Sequence, residues 1–344
     1  MKILLGMSGG LDSTYAAHKL IAEGHTVEGA VLKMHGYTEV EEAVLSAESI
    51  GIPLHVIDCR EAFERRVVSY FLNEYPKGRT PNPCVVCNSE IKFRSLLDFA
   101  EDNGFDFIAT GHYAGVVKTD CNGVSRYTLS CAEDSGKDQT YVLWRLTQDI
   151  LSKLVLPLAN SRKTEIRGEA ASLGIASADR DESQEICFIP SGEYAEFIEE
   201  RVGASPHGDF IDENGKVLGE HQGIIRYTLG QRKGLGIAVG TRVFVTEINP
   251  QNNTVTLSKD ALYTDEICVS DMNFVGISEP EINEETELFV KVRYLAPKVK
   301  CTLKYLGGGR GIAKLSLPQR AVTPGQSAVF YQENCLACGG FIDR

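Results

Sequence analysis

Gly6-Met7-Ser8-Gly9-Gly10-Leu11-Asp12-Ser13 gathers three glycines, two hydroxyls and one carboxylate into eight positions. The segment follows Lys2–Gly6, which reads as a buried strand, and opens a helical pattern over Asp12–Glu23 that Gly24 ends. A helix start of this kind presents unpaired backbone N–H groups and the positive end of a dipole, a ready site for an anion. Glycines let the backbone approach phosphate without a Cβ in the way. Ser8 and Ser13 add hydroxyl donors. There is no Gly-Lys-Ser/Thr, which excludes a Walker loop, and the spacing fails Gly-x-Gly-x-x-Gly, which argues against dinucleotide binding. Asp12 is suited either to capping the helix or to holding Mg²⁺.

Cysteine supplies the second chemistry. Thr80-Pro81-Asn82-Pro83-Cys84-Val85-Val86-Cys87-Asn88 is a loop stiffened by prolines. The helical pattern that follows, Asn88–Asn103, places Cys87 just before a helix start, where thiolate is favoured. Cys187 lies in Asp181–Pro190, a half-buried strand pattern when taken alone. Cys335-x-x-Cys338 joined to Cys84-x-x-Cys87 would make a four-thiolate zinc set; the alternative is two small residues packed in a final strand. Cys59, Cys121, Cys131, Cys268 and Cys301 have no catalytic neighbours in sequence and read as packing or surface residues.

The elements that must position these groups change character along the chain. Strand patterns at Lys2–Gly6, Thr26–Lys33, Leu54–Asp58 and Phe105–Thr110 alternate with helical ones at Glu39–Ile50, Glu61–Tyr75 and Asn88–Asn103. That alternation predicts a doubly wound parallel sheet with helices on both faces. Helical patterns continue through Gln148–Leu154, Lys163–Leu173 and Gly192–Arg201. Beyond about residue 205 short, glycine-punctuated runs appear, and from about residue 265 alternating segments predict a small β-barrel. The fold class is thus α/β plus all-β. Three regions are expected: 1–200, 201–264 and 265–344. A length of 344 residues suits two or three domains.

Composition is that of an ordinary globular chain, with 43% apolar and 24% charged residues. Thirty-five basic against 47 acidic side chains give a net charge of −12, which argues against a generally adhesive nucleic-acid binder. One window departs from this. Between Thr286 and Gly325 stand Lys291, Arg293, Lys298, Lys300, Lys304, Arg310, Lys314 and Arg320 against the single carboxylate of Glu287. It reads as a solvated barrel face or as a phosphate-backbone footprint. Gly230-Gln231-Arg232-Lys233-Gly234 is a basic turn of similar character. No apolar run is long enough to span a membrane, and the amino terminus does not read as a signal peptide. A cytoplasmic location and reduced thiols are expected.

Several blocks together resemble one family. Ser8–Ser13 matches Ser-Gly-Gly-x-Asp-Ser, the pyrophosphate (PP) loop of ATP-splitting adenylating enzymes. With GRTPNPCVVCNSEIKF (78–93), ATGHYA (109–114), GKDQTYVL (136–143), DRDESQEICFIP (179–190), YTLGQRKGLGI (227–237), VRYLA (292–296) and AVTPGQSAVFYQ (321–332), the chain resembles the bacterial tRNA-specific 2-thiouridylases, the MnmA family, over nearly its whole length. The resemblance implies a PP-loop ATP pyrophosphatase domain, a small central domain and a carboxyl-terminal β-barrel. It implies ATP-dependent 2-thiolation of the wobble uridine of tRNA: adenylation of the 2-carbonyl oxygen, then sulfur transfer from a protein persulfide. By motif, Cys187 carries the persulfide and Cys87 is its partner thiol, the two ending as a disulfide. Gly6–Ser13, Leu32 and Gly111 would bind ATP, with Mg²⁺. Asn82, Pro83 and Cys84 would meet the target base. His112, Lys137, Asp138, Gln139, Arg293, Tyr294 and Gln326 would meet tRNA. No residue is assigned as a metal ligand. The sulfur would come from a persulfide-donating carrier protein or a cysteine desulfurase.

The sequence departs from the family pattern in three places. Cys84 stands where many members have an aspartate, Leu32 replaces a methionine, and His35-Gly36-Tyr37 runs almost directly into the next helix. Cys84 raises a rival cofactor, an iron–sulfur cluster held by Cys84, Cys87 and Cys187. A second rival, a PP-loop synthetase acting on a small metabolite, would have no need of the cysteine pair. A third, a tRNA-binding module with a relic loop, is opposed by the intact phosphate loop.

Overall fold

Ile3 and Leu5 face one way and Leu4 the other, and all three are fully buried. This period-two alternation makes Lys2–Gly6 (β1) the centre of a sheet covered on both sides. The computed structural model describes residues 1–121, 123–173, 175, 186–189 and 192–343. Most of the block 179–190 therefore lies outside the described residues, which retain Ile186–Ile189.

β1 is joined in parallel by Thr26–Lys33 (β2), Leu54–Asp58 (β3), Phe107–Thr110 (β4) and, after the hairpin Ala114–Cys121 (β5) and Val124–Cys131 (β6), by Leu154–Val155 (β7). The order is β3-β2-β1-β4-β7. The chain winds outward from β1 through β2 and β3, then returns to lay β4 on the other side of β1. The crevice between the carboxyl ends of β1 and β4 is therefore the topological switch point, where open α/β sheets bind ligands. Leu4, Ala30 and Leu32 pack beneath Phe63, Val67, Phe71, Phe93 and Leu96 of the helical segments 60–74 and 83–102. On the other face Ile3, Leu5 and Val27 meet Leu11, Ala16 and Leu20 of Leu11–Ala22 (α1), together with Ile166 and Ala170.

The central region is a four-stranded sheet of Gly208–Ile211 (β8), Val217–His221 (β9), Phe244–Asn249 (β10) and Thr254–Ser258 (β11). Tyr263–Asn273 (β12), Glu285–Lys291 (β13), Val299–Gly307 (β14), Arg310–Arg320 (β15), Ser327–Gln332 (β16) and Cys335–Asp343 (β17) form a six-stranded barrel, closed by pairing of β12 with β17. The expected strand-rich tail is a closed barrel, which leaves its ring of strands without free edges. No described helix is long and apolar enough to cross a membrane.

The hairpin β5–β6 was not expected, and it crosses the boundary drawn from sequence. Cys335 of β17 pairs with Ser130 of β6, so the barrel sheet extends into the first region. Trp144 is fully buried at this junction, and its indole N–H donates to Ser327 Oγ (2.9 Å). Tyr141 donates to Ser327 O (2.9 Å), and Asn273 donates to Trp144 O (2.8 Å). Gly339 of β17 lies flat against the indole, where a Cβ would meet ring atoms at 2.6 Å. Overpacking of this kind costs about 1–3 kcal/mol. Gly339→Ala should accordingly lower the urea midpoint and red-shift the emission of Trp144, the chain's single tryptophan. An unchanged midpoint and spectrum would show that the indole is not clamped there.

Candidate active site

The phosphate loop occupies the switch point. Ser8 N–H is held by Ser13 Oγ (3.2 Å), Gly10 N–H by Ser8 Oγ (3.3 Å), and Ser13 Oγ donates to Gly10 O (3.0 Å). These bonds shape the turn from β1 into α1. Gly9 has φ +78°, and a Cβ there would stand 2.7 Å from Glu42 in Val40–Ile50 (α2). Gly111, just past β4, meets the first turn of α1 so closely that a Cβ would lie 2.8 Å from the carbonyl carbon of Asp12. Met7, Leu11 and Leu32 have their side chains buried in the core, so Met7 and Leu11 offer a ligand mainly backbone.

Asp12 is held by two side chains from other segments. Lys163 Nζ reaches both its oxygens (2.7 Å each), and the Tyr113 hydroxyl donates to Oδ1 (2.7 Å). The carboxylate thus fixes the helix start to two other segments. Neither Lys163 nor Tyr113 was picked out in sequence, because both lie more than 100 residues from Asp12.

The cysteine helix begins earlier than expected. It starts at Pro83 rather than Asn88, with Asn82 as its cap: the Asn82 side chain accepts from Cys84 N–H (3.2 Å). Cys84 occupies the exposed first turn, while Cys87 is buried one turn on, its thiol 3.7 Å from Met34 Sδ just past β2. The expectation of a depressed Cys87 pKa is therefore corrected. Burial pushes its thiol up to about 12, although Lys92 opposes this. Leu96 of the same helix packs on Gly6, within 3.1 Å of where a Cβ would stand, which ties the cysteine helix to the phosphate strand.

Cys187 is exposed, but the residues after it are pinned. Phe188 makes edge contacts with Phe63 and Phe71 (5.5 Å each), and Ile189 is buried. A groove of about 800 Å³ opens along Met34, His35, Phe63, Phe188 and Ile189. Although the residue is exposed, the side chains packed around its sulfur desolvate it and push the Cys187 thiol up, and Lys92 opposes this.

Lys92 is the residue the sequence did not reveal. It stands five positions after Cys87, a spacing that a regular α-helix turns away. Here Phe93 N–H reaches back to Asn88 O, a π-type turn that widens the helix and brings positions five apart into line. Burial works against the Lys92 charge, yet Cys87, Cys84 and Cys187 together hold its pKa above the usual lysine range. Burial, helped by the same ammonium, pushes His112 down to about 3, so its ring is neutral at pH 7; its Nδ1 lies 2.8 Å from Thr110 Oγ1. The charge of Lys92 is thus felt by Cys87, Cys187 and the neutral imidazole of His112. Among the described residues no group of three or more histidine, cysteine or carboxylate side chains could hold a metal ion, so the three cysteines do not fit a cluster as they stand. The zinc pairing fares likewise: Cys338 is buried in the barrel core and Cys335 pairs with the hairpin.

The other residues expected at tRNA are not gathered in one place. Asp138 and Tyr294 line one cleft of about 840 Å³ between the first region and the barrel. Asp138 itself is buried and accepts from Ala132 N–H (3.2 Å), Thr140 Oγ1 (2.8 Å) and Lys291 Nζ (3.4 Å), so it acts as an internal strut. Gln139 accepts from Tyr113 N–H (2.9 Å). Arg293 is exposed beside the cleft, donating to Arg320 O (2.7 Å). Gln326 lies elsewhere, its amide donating to Thr80 O (2.7 Å). The basic window does not fold into one basic face. Lys314 pairs with Asp265 (3.0 Å) and stands opposite Glu266, and Lys304 stands opposite Glu285. Lys298 turns inward to Cys131 Sγ (3.2 Å) and Glu333 O (3.1 Å).

A phosphate loop at the switch point, thiols on the same sheet edge, and an appended small sheet and barrel define a multidomain ATP-pyrophosphatase-type enzyme. Family models agree in register: a "tRNA methyl transferase HUP domain" matches residues 1–191, a "tRNA methyl transferase PRC-barrel domain" 195–259 and an "Aminomethyltransferase beta-barrel domain" 264–342. The tRNA-specific 2-thiouridylase MnmA of Lachnoclostridium phytofermentans is 42% identical over 358 residues, 99% of each chain. That of Carboxydothermus hydrogenoformans is 41% identical over 360 residues, 100% of this chain and 98% of its own. A 4-thiouridine synthetase solved with RNA and ATP is 17% identical with a TM-score of 0.36, covering 58% of this chain and 50% of that one, too distant to carry an argument. The chain belongs to the tRNA-specific 2-thiouridylase family.

The Lys92 cluster is directly testable. A cation favours thiolate, so its removal raises thiol pKa values, and each unit lowers the thiolate fraction about tenfold at fixed pH below the pKa. Lys92→Met should therefore slow iodoacetamide labelling of Cys187 at pH 8.5 and shift the labelling profile to higher pH. A profile that does not move would remove Lys92 from the thiol field.

Proposed function

We infer that this chain is an ATP-dependent tRNA-uridine 2-sulfurtransferase. The observation that carries the reading is the intact phosphate loop at the switch point together with two thiols and one ammonium on the same edge of the sheet. Family membership supports the same substrate. Gly6–Ser13 would hold the phosphates of ATP, as its Mg²⁺ complex, and Leu32 and Gly111 would flank its base. The uridine O2 attacks the α-phosphorus, and pyrophosphate leaves. The terminal persulfide sulfur on Cys187 attacks C2, and AMP departs with the old oxygen. Cys87 then attacks Cys187 Sγ, which frees the thiouridine and leaves a Cys87–Cys187 disulfide for reduction. The two sulfur steps need an anionic sulfur in a site where burial disfavours one, and Lys92 supplies the compensating charge.

The test is the purified protein with ATP, Mg²⁺, a persulfide donor and unmodified tRNA, read by mass spectrometry of nucleosides. Cys187→Ser should lose persulfide loading and all thiolation yet still form AMP. Cys87→Ser should load but not release sulfur. Cys84→Ser should keep most of its activity. Equal loss in all three variants, with iron in the wild type, would replace the persulfide route by a cluster.

Binding of tRNA should weaken with salt as counterions are released. Arg293→Ala should weaken binding across tRNAs and reduce the magnitude of the log–log salt slope by about one. Lys314→Ala should change neither, since Asp265 already pairs with that charge. Equal effects of the two variants would restore the whole basic window as the footprint.

A further inference from the structure

The loop 78–82 leads into the cysteine helix and is tied on every side. Gly78, at φ +71°, lies against the central sheet, where a Cβ would stand 3.1 Å from Ile248. Arg79 donates through Nε to Glu74 (2.7 Å), through Nη2 to Ile342 O (3.2 Å) and through Nη1 to Asp343. Thr80 N–H donates to Pro324 O (2.9 Å), Thr80 O accepts from Gln326 Nε2 (2.7 Å), and its hydroxyl lies 3.3 Å from that of Thr228. Two residues later Asn82 caps the helix that bears Cys84 and Cys87.

The barrel side of this contact is built for close approach. Gly325 has φ +89°, and a Cβ on it would stand 3.1 Å from the N, C and O atoms of Thr80. Gly325 N–H donates to Ile342 O (3.0 Å) and Ile342 N–H to Gln326 O (2.8 Å), so the turn 324–326 is carried by β17. Two backbones and one amide meet where no side chain fits.

We propose that Arg79 and Gln326 are positioning residues for thiolation: with Gly325 they latch the loop 78–82 onto the barrel, so that RNA seated on the barrel sets the placement of Cys84 and Cys87. The proposal rests on the reading of the chain as a tRNA thiolase. Gln326 is the side chain that the family resemblance assigns to tRNA, and its amide N–H is bonded to Thr80 O. One group therefore serves both contacts, and RNA that engages it acts on the loop directly. Arg79 supplies the second fastening, joining the end of the preceding helix to the last strand of the barrel.

The experiment uses the full-length protein and reads iodoacetamide labelling of Cys84 and Cys87 by mass spectrometry, with and without saturating unmodified tRNA. In the wild type, tRNA should change Cys87 labelling about fivefold or more, the lower range of coupling between linked sites. In Gly325→Ala and Arg79→Gln, tRNA should still bind within about threefold of wild type, the labelling response should vanish, and kcat should fall about tenfold at unchanged KM for ATP. Arg79→Lys, which keeps the charge, should recover part of the response. Fluorescence of Trp144 confirms that the variants are folded, and Asp343→Asn replaces any that is not. Wild-type kcat in a latch variant, or Cys87 labelling indifferent to tRNA in a wild type that thiolates, overturns the latch alone. A wild type that binds no tRNA overturns the latch together with the functional reading.

Discussion

The site hangs on an approach of two backbone segments that no side chain would permit. Past β4, Gly111 lies against the first turn of α1, and on the far side of the same turn Gly9 is pressed by α2. Between them the loop has one shape, fixed further by the Ser8–Ser13 bonds. The order β3-β2-β1-β4-β7 brings these segments together at the point where winding reverses. Everything chemical then collects along that edge. Met34 follows β2 there and touches Cys87, and Leu96 returns from the cysteine helix to rest on Gly6.

Charge is handled locally rather than globally. A chain of net charge −12 acts on a polyanion, and its basic barrel residues are interleaved with acids. Two cations stand at the site itself, the half-buried Lys92 near the thiols and the buried Lys163 beside the phosphate loop. A buried cation is costly to keep charged unless groups that can become anionic surround it. The cluster therefore protects its own protonation state, and the ring of His112 beside it is neutral.

Much of this was legible in the chain itself. The alternation around β1 and β2, the glycine loop, and the strand-rich tail are short-range patterns, and they appear where periodicity places them. The misses have a common origin in distance and register. Cys87 reads as a helix-start thiol because the prolines before it look like loop, yet Asn82 caps the helix and Pro83 suits its first turn. Lys92 escapes because only a π-type turn aligns it with Cys87. The charge window counts one stretch of sequence, whereas Asp265, Glu266 and Glu285 arrive from neighbouring strands outside it.

The shared sheet at β6 and β17 bears on how such a protein can have been assembled. Three matched segments laid end to end suggest interchangeable parts. Yet the last strand of the barrel completes its pairing on a hairpin encoded 200 residues earlier, and Ser327 and Gly339 are shaped to one indole in the first segment. A barrel borrowed from another lineage would meet a strand edge, a hydroxyl position and a flat glycine surface that it had not evolved beside. Exchange of the barrel alone would therefore forfeit that strand pairing and the fit around the indole.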